Sequence, residues 1–417
     1  MSMPRVLLSA YQCGPGMGSV SQIGWEWYSR LAHRLPVTLV THIRNRSALE
    51  RAGTPVNGSK IIYIDTEWFA GPLYRLASRL FPRSEHPVFM ISSLDYYLYD
   101  WVTLKTLRGL RKAGEDWDII HQPTPVSPLA ATRLHKLNIP LILGPWNGGL
   151  CSPGEYPEIM RAESGWVYPV RKLGRLADRI FGSSRKAKRI LTATSATRAE
   201  IPAAYVPKCM HMLENGVDLD LFAPADWPDP PTSGNPLEIL YVGRLLPFKG
   251  VTLLLEAVAR LNFPFRLTIV GSGPEEALLH TQAEALKLND CIVFTGTLPL
   301  NEVSKRMAQA HVFCLPSVRE SGGAVLLEAM AAARPVIALA YGGPAEIVDD
   351  EVGQLIPSTG REAVVGKLTS TLADVVENPE RWRQRGIAGR KRAEQCYAWP
   401  VKIDNAIALY RQCLEQS

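Results

Sequence analysis

A chain of 417 residues, 46% hydrophobic and 21% charged, exceeds the roughly 250–300 residues at which a single core stops growing, so two domains are expected. The same balance excludes a disordered chain, a collagen-like chain and a small disulfide scaffold. The net charge of +6 conceals an asymmetry: residues 1–215 carry 27 Lys+Arg against 16 Asp+Glu, a net +11, whereas residues 216–417 carry 19 against 24, a net −5.

Seven cysteines (Cys13, Cys151, Cys209, Cys291, Cys314, Cys396 and Cys413) are scattered, odd in number and form no Cys-x-x-Cys. That argues against a structural zinc or a disulfide framework and fits a reducing cytoplasm. The apolar run at 6–8 is too short for a secretory signal core. No stretch approaches the roughly 20 apolar residues of a membrane-spanning helix, so any membrane contact is expected to be peripheral.

The elements alternate along the chain. A strand at 6–9 leads through a glycine-rich turn to a helix at 22–34, and further strands follow at 37–41, 60–64, 118–121 and 141–144. Residues 227–235, with Pro228, Pro230, Pro231 and Gly234, form a surface loop near a domain boundary. The pattern then restarts: strand 238–243, helix 252–260, strand 266–271, helix 275–286, strand 292–295, helix 302–310, strand 312–315, helix 324–333, strand 336–338. Strands separated by helices imply parallel sheets, here two doubly wound α/β domains in tandem. Ligands of such sheets bind outside the carboxyl ends of the strands, so chemistry is sought in the loops that follow them.

Gly243-Arg244-x4-Lys249-Gly250 follows the first strand of the second half. Two cations five residues apart can reach one diphosphate; a solvated loop with two surface cations is the competing reading. Arg319-Glu320-Ser321-Gly322-Gly323-Ala324-Val325 leads into a helix carrying Glu328. Its glycines bare backbone N–H groups at a helix N-terminus, which favours an anion. Eight helical residues span about 12 Å, with the two faces about 80° apart, so Glu320 and Glu328 serve different parts of one long ligand rather than one bond. Val270-Gly271-Ser272-Gly273-Pro274-Glu275 is a tight turn in preference to a ligand contact.

In the first half, Gly14-Pro15-Gly16-Met17-Gly18 is an incomplete dinucleotide fingerprint, with Ser19 in place of a further glycine. It suits a flexible loop approaching a phosphate or sugar. His121 is placed at a strand end, able to donate to a ligand in an interdomain cleft, with a structural histidine as the alternative. Asn147-Gly148-Gly149 offers a donor–acceptor side chain and close backbone approach, balanced against a plain turn. Asp116-Trp117-Asp118 mimics a metal-binding Asp-x-Asp but precedes its strand, so no metal is expected.

With those residues in view, the second half resembles retaining glycosyltransferases of family 4, of the "glycosyl transferases group 1" type. The likeness rests on Gly243-Arg244-x4-Lys249-Gly250, on Glu320-x7-Glu328 with Glu-Ala-Met-Ala, and on Gly342-Gly343-Pro344-Ala345-Glu346, over roughly residues 237–400. The first half is a looser match. The resemblance implies a GT-B fold, with two doubly wound Rossmann-like domains facing across a cleft. Residues 1–215 would be the acceptor domain, 216–396 the nucleotide-sugar domain, and 397–417 a crossover helix returning to the first domain. It implies that Arg244 and Lys249 bind the donor diphosphate, Glu328 the ribose and Glu320 the sugar hydroxyls. Gly322, Gly323, Ala324 and Val325 would line the donor, His121 would reach the donor sugar, and Gly16–Gly18 with Asn147 and Gly148 would complete the donor site. Arg244, Lys249, Glu320 and His121 form the expected catalytic set. The nucleotide sugar is a co-substrate, and no cofactor is implied.

Ser321-Gly322-Gly323 departs from the commoner Gly-Phe-Gly, and Arg334 stands where many members have glycine, which puts a bulky side chain in or beside the cleft. The expected activity is metal-independent retaining transfer of a hexosyl group from a UDP- or GDP-linked sugar to a lipid-linked or cell-envelope glycan. A sugar-nucleotide epimerase of the same fold and a non-catalytic donor-binding module are the alternatives. The +11 half carries Arg171, Lys172, Arg175, Arg179, Arg185, Lys186, Lys188 and Arg189 within nineteen residues, opposed by Asp178, and a mixed run of cations and bulky apolar groups from Tyr74 to Arg83. Both suit an anionic membrane surface at the inner face of the cell membrane, with a solvated basic helix as the alternative. No nucleic-acid reading motif accompanies the charge.

Overall fold

The computed structural model describes residues 3–53, 58–80, 94–150, 154–157 and 167–416, the side chains of 167–173 excepted. Two compact units divide the chain: unit 1 takes Met1–Gly149, Ser164–Glu214 and Ile403–Ser417, and unit 2 takes Leu150–Glu163 and Asn215–Lys402.

Unit 1 is built on β1 (Val6–Ala10), β2 (Val37–His42), β3 (Lys60–Ile64), β4 (Ile119–Thr124), β5 (Leu141–Trp146), β6 (Arg189–Thr192) and β7 (Cys209–His211), all parallel, in the order β3-β2-β1-β4-β5-β6-β7. β1, β2, β4 and β5 are buried along their whole length. That is why they read as unbroken apolar runs rather than alternating ones: helices cover both faces of a parallel sheet. The helices are α1 (Ser19–Ala32), α2 (Arg46–Ala52), α3 (Glu67–Leu80), α4 (Asp95–Lys112), α5 (Val167–Phe181), α6 (Ser183–Lys186) and α7 (Ser195–Ala199). Leu7, Val40, Ile120, Leu141, Leu143 and Ile190 of the sheet share one core with Tyr99, Leu104 and Leu107 of α4.

Unit 2 repeats the plan. β8 (Leu237–Val242), β9 (Phe265–Val270), β10 (Ile292–Gly296), β11 (Val312–Leu315), β12 (Val336–Leu339) and β13 (Gly353–Ile356) run parallel in the order β10-β9-β8-β11-β12-β13. Its helices are α8 (Val251–Val258), α9 (Glu276–Ala285), α10 (Leu300–Gln309), α11 (Ala324–Ala331), α12 (Pro344–Ile347), α13 (Arg361–Glu377) and α14 (Pro379–Arg392). Numbered within each unit, the first six strands follow the doubly wound order 3-2-1-4-5-6 in both. The order reverses between β1 and β4 in unit 1 and between β8 and β11 in unit 2. Those two switch points carry the loops singled out by motif.

α15 (Trp399–Glu415) starts in unit 2 and ends in unit 1. Its start is pinned in unit 2, where Trp399 N–H donates to the Val217 carbonyl at 3.2 Å and the indole lies so close to Gly216 that a Cβ there would sit 2.8 Å from the ring. Further along, Asp404 accepts from Arg34 at 2.7 Å, and the Gln416 carbonyl accepts from Lys188 at 2.8 Å.

Two expectations need correction. β4 runs to Thr124, so His121 lies inside the strand and not at its end. Arg334 does not line a cleft: it is fully enclosed in unit 2, where its guanidinium donates to the carbonyls of Ala332 (3.1 Å), Ala310 (3.2 Å), Ala225 (2.5 Å) and Asp226 (2.9 Å). It ties the 225–226 segment, which has no regular structure, to the sheet. Burial, with no carboxylate hydrogen-bonded to it among the described residues, lowers its pKa to about 10. His311 does similar work, accepting from Glu238 N–H at 2.9 Å and reaching the Asp229 carbonyl at 2.8 Å. Replacing Arg334 by Leu strands several buried carbonyls, so Arg334→Leu is expected to cost about 3 kcal/mol or more. Denaturant unfolding measures it; a variant as stable as the parent contradicts the account.

Candidate active site

In unit 2 the loop after β8 is held from several sides. Gly243 N–H donates to Val270 O at 3.0 Å, Leu245 N–H to Ser272 O at 3.0 Å, and the Tyr241 hydroxyl to Arg244 O at 3.1 Å. The Gly271–Gly273 turn packs directly under this loop: a Cβ on Gly271 would lie 2.0 Å from Gly243 O, and one on Gly273 2.3 Å from Leu245 O. Those glycines therefore serve backbone packing. Gly250 closes the loop in a left-handed conformation (φ 66°) against Pro316 O.

The loop after β11 meets it across the switch point. Val318 N–H donates to Phe248 O at 2.9 Å, and the Arg319 guanidinium lies over the Phe248 ring at 4.8 Å. Lys249 Nζ and Glu320 Oε2 form a close ion pair, their side chains 18% and 12% exposed. Ser317 Oγ donates to the same oxygen at 3.3 Å. Two motifs 71 residues apart thus converge on one charge pair. Such a partly desolvated pair is held by geometry and by extra hydrogen bonds more than by net stability.

Gly342 and Gly343, after β12, brace the carboxylate's backbone. Gly343 N–H donates to Glu320 O at 3.0 Å, and Cβ atoms at the two positions would lie 2.1 Å from Glu320 O and 2.5 Å from Ser321 O. The sequence likeness included these glycines without giving them a part; Ser317 was not singled out at all.

Arg244 is exposed, and its guanidinium has no partner among the described residues. Gly323 (φ 66°) opens α11, and the N–H groups of Gly322, Gly323, Ala324 and Val325 donate to no described group. Amides and a cation without partners among the described residues thus lie on the same two loops as the Lys249–Glu320 pair, a composition suited to a polyanion. Glu328 lies farther along α11. The residue is half-buried, its carboxyl has no partner among the described residues, and desolvation pushes it up to about 7.

In unit 1, Gly16 (φ 72°) and Gly18 (φ 104°) lie on an exposed loop leading into α1, where Gly16 N–H reaches Gln22 Oε1 at 3.3 Å. His121 is completely buried. Its Nε2 is 2.6 Å from the Gly144 carbonyl and its Nδ1 2.6 Å from the Tyr410 hydroxyl. A carbonyl only accepts, so Nε2 carries the proton and Nδ1 accepts from Tyr410. Trp27 packs edge-on at 4.9 Å, and burial lowers the imidazole to about 4, keeping it neutral. The contact expected with a donor sugar requires a ring nitrogen at a surface, and here both nitrogens bridge β5 to α15 inside unit 1. Nothing in the sequence near His121 points to Tyr410.

Asn147 Nδ2 donates to Glu214 Oε1 at 2.6 Å, and Asn147 Oδ1 is buried with no partner among the described residues. Gly148 exchanges two bonds with Thr197 Oγ1, at 3.0 and 2.9 Å. The Asn147–Gly148 segment is thereby tethered to the start of α7. Asp116 and Asp118 pair with Arg5, at 3.5 and 2.9 Å.

Residues 226–389 match the family model described as "Glycosyl transferases group 1". Among curated proteins, the chain is 28% identical to an alpha-maltose-1-phosphate synthase of Mycolicibacterium smegmatis, over 54% of this chain and 62% of that protein. It is 29% identical to a GDP-mannose-dependent alpha-mannosyltransferase of Mycobacterium tuberculosis, over 81% of each. The first of these matches thus spans less than two thirds of its relative. Among solved structures, the lipopolysaccharide outer core galactosyltransferase WaaB in its apo form superposes with a TM-score of 0.66 at 15% identity, covering 98% of this chain and 99% of that one, a likeness of fold alone.

Because the unfolded chain binds the Glu328 proton less tightly than the folded one, the stabilising contribution of Glu328 is full below about pH 4.5 and is lost as pH rises through about 7. The ligand-free chain is therefore expected to lose thermal stability, relative to Glu328→Gln, across that window. Melting profiles that stay parallel contradict it. Residues 226–389 are thus similar to the glycosyl transferases group 1 family, and the strand order of the two units with the likeness to the solved structure gives the chain the GT-B fold.

Proposed function

We propose that the protein is a metal-independent retaining glycosyltransferase that moves a hexosyl group from a UDP- or GDP-linked sugar to a lipid-linked or cell-envelope glycan. The observation that carries this reading is the Lys249–Glu320 pair where the loops after β8 and β11 meet, with Arg244 on the first of these loops and the open amides of Gly322–Val325 following the second. Breaking a glycosyl–phosphate bond leaves a diphosphate, and fixed cations and dipoles stabilise that charge without rearranging at the moment of reaction.

Arg244 and Lys249 hold the diphosphate, with the amides at the start of α11 completing its shell. Glu320, which occupies Lys249 in the ligand-free chain, turns to the sugar hydroxyls as the diphosphate takes up the lysine. Glu328 accepts from the ribose diol; those hydrogen bonds favour its ionised form, so nucleotide binding near pH 7 releases a proton. The sugar C1–oxygen bond to the diphosphate breaks, the acceptor oxygen attacks C1 from the same face, and a diphosphate oxygen takes the acceptor proton. His121 acts as a positioning residue through Gly144, which leads to Asn147 and Gly148. Gly16 and Gly18, on the exposed loop before α1, are further donor-binding residues in this reading.

Two relatives are named as GDP-mannose-dependent, one of them as acting on phosphatidylinositol monomannoside, which makes GDP-mannose and a lipid acceptor the first pair to test. The basic unit 1 suits work at the inner face of an anionic membrane, and no helix among the described residues is long and apolar enough to cross one.

Glu320→Gln is expected to lower transfer by about 100-fold or more while nucleotide affinity stays within about threefold. Steady-state transfer and calorimetric titration check the two halves. Loss of both would show that Glu320 shapes the nucleotide site instead, and a glycosyl adduct on Glu320 in mass spectra would replace the same-face route.

A further inference from the structure

Unit 1 contains one short pattern twice, one hundred residues apart. Arg75-Leu76-Ala77-Ser78-Arg79-Leu80 ends α3, and Arg175-Leu176-Ala177-Asp178-Arg179-Ile180 ends α5 just before its last residue. Arg, Leu, Ala and Arg recur at equivalent places, and the last position is Leu or Ile.

In both copies the aliphatic residues point away from the protein. Leu76 and Leu80 are 55% and 61% exposed, and Leu176 and Ile180 are 51% and 68% exposed. Ala77, between the first pair, is fully buried and keeps α3 seated. The outward stripe of α3 extends back through Pro72 to Trp68, itself exposed. Each aliphatic residue has an exposed arginine directly before it. Arg175 is paired with Glu200, whereas Arg79 and Arg179 have no carboxylate partner among the described residues.

This inverts the usual helix, whose apolar stripe faces the core. Two aliphatic residues one turn apart, each beside a cation, leave apolar surface in water unless something covers it. α4 touches both helices: it packs beside α3, and its Tyr97 lies edge-on to Phe181 of α5 at 5.8 Å. The exposed side of α4 adds Trp101, Lys105, Arg108 and Lys112.

We infer that the twin Arg-Leu elements form a two-point anchor for an anionic lipid bilayer, with the aliphatic pairs entering the headgroup boundary and Arg79 and Arg179 meeting lipid phosphates. The charge identifies the partner: Arg79 and Arg179, without a carboxylate partner among the described residues, beside outward Leu, Ile and Trp match an anionic apolar interface, in a half of the chain that carries net +11. Two weak elements on one unit act jointly, since seating the first raises the effective concentration of lipid at the second. This deepens the lipid-acceptor part of the proposed function by naming how unit 1 meets the membrane.

The test is co-sedimentation of the full chain with phosphatidylcholine vesicles, with and without phosphatidylglycerol. The parent chain is expected to bind the anionic vesicles, less so in high salt. Leu76→Ser with Leu80→Ser, or Leu176→Ser with Ile180→Ser, is expected to weaken binding about tenfold, and all four together to abolish it. Circular dichroism and nucleotide titration show whether each variant remains folded. Arg79→Gln with Arg179→Gln, which touches no apolar contact, is expected to lose binding as well. Undiminished binding by the four-fold variant, equal binding to neutral vesicles, or no binding by the parent overturns the inference. So does a shift from dimer to monomer in the four-fold variant with no change toward lipid. Vesicle binding without sugar transfer leaves the anchor standing and removes the enzyme; transfer to a soluble acceptor without vesicle binding does the reverse.

Discussion

The Lys249–Glu320 ion pair is where the two halves of unit 2's sheet meet. In a doubly wound sheet the helices after the two central strands leave in opposite directions, so the loops after β8 and β11 are left facing each other without a crossover between them. One loop brings a lysine and the other a carboxylate, and the pair satisfies both while they are partly removed from water. Such a pair is poised, because a ligand with phosphates for the lysine and hydroxyls for the carboxylate exchanges one set of partners for another without leaving a desolvated charge unpaired.

The rest of unit 2 supports that pair through backbone, and glycine is the means. Gly250, Gly271, Gly273, Gly342 and Gly343 all sit where a Cβ would lie within 2.5 Å of a neighbouring carbonyl oxygen. Each lets one loop press on the next, so the loops after β8, β9, β11 and β12 form one layer at the carboxyl edge of the sheet. Arg334 performs a comparable task away from the site, gathering the carbonyls of an irregular segment that has no ladder of its own.

The architecture was legible wherever a strand is buried on both faces, because such strands leave unbroken apolar runs with glycine at their ends. β8, β9, β11 and β12 and the loops after them stand where the runs place them, and so does β10, although it is an edge strand with Val293 exposed. The short strand β6, between β5 and β7, and the edge strands β7 and β13 left weaker runs and were not distinguished. Arg244, Lys249, Glu320 and Glu328 were legible as residues, since cations and carboxylates in glycine-flanked loops have few structural uses. The ion pair itself was not, because its partners are 71 residues apart. His121 shows the limit most clearly. Its neighbours suggest a strand end, but its partner Tyr410 lies 289 residues away on the last helix, and that bond turns a candidate surface donor into an internal bridge. Likewise, the Arg-Leu elements can be found in the sequence, while the face they occupy is decided by the burial of Ala77 beneath them.

The central claim is that Arg244 and Lys249 clamp a diphosphate. Calorimetric titration of the full chain with guanosine and uridine mono- and diphosphates tests it most directly. The account predicts that the preferred base binds about tenfold tighter or more as the diphosphate than as the monophosphate, and that this advantage vanishes in the Arg244→Ala, Lys249→Ala double variant. Equal affinity for mono- and diphosphate, or an advantage that survives removal of both cations, would contradict it.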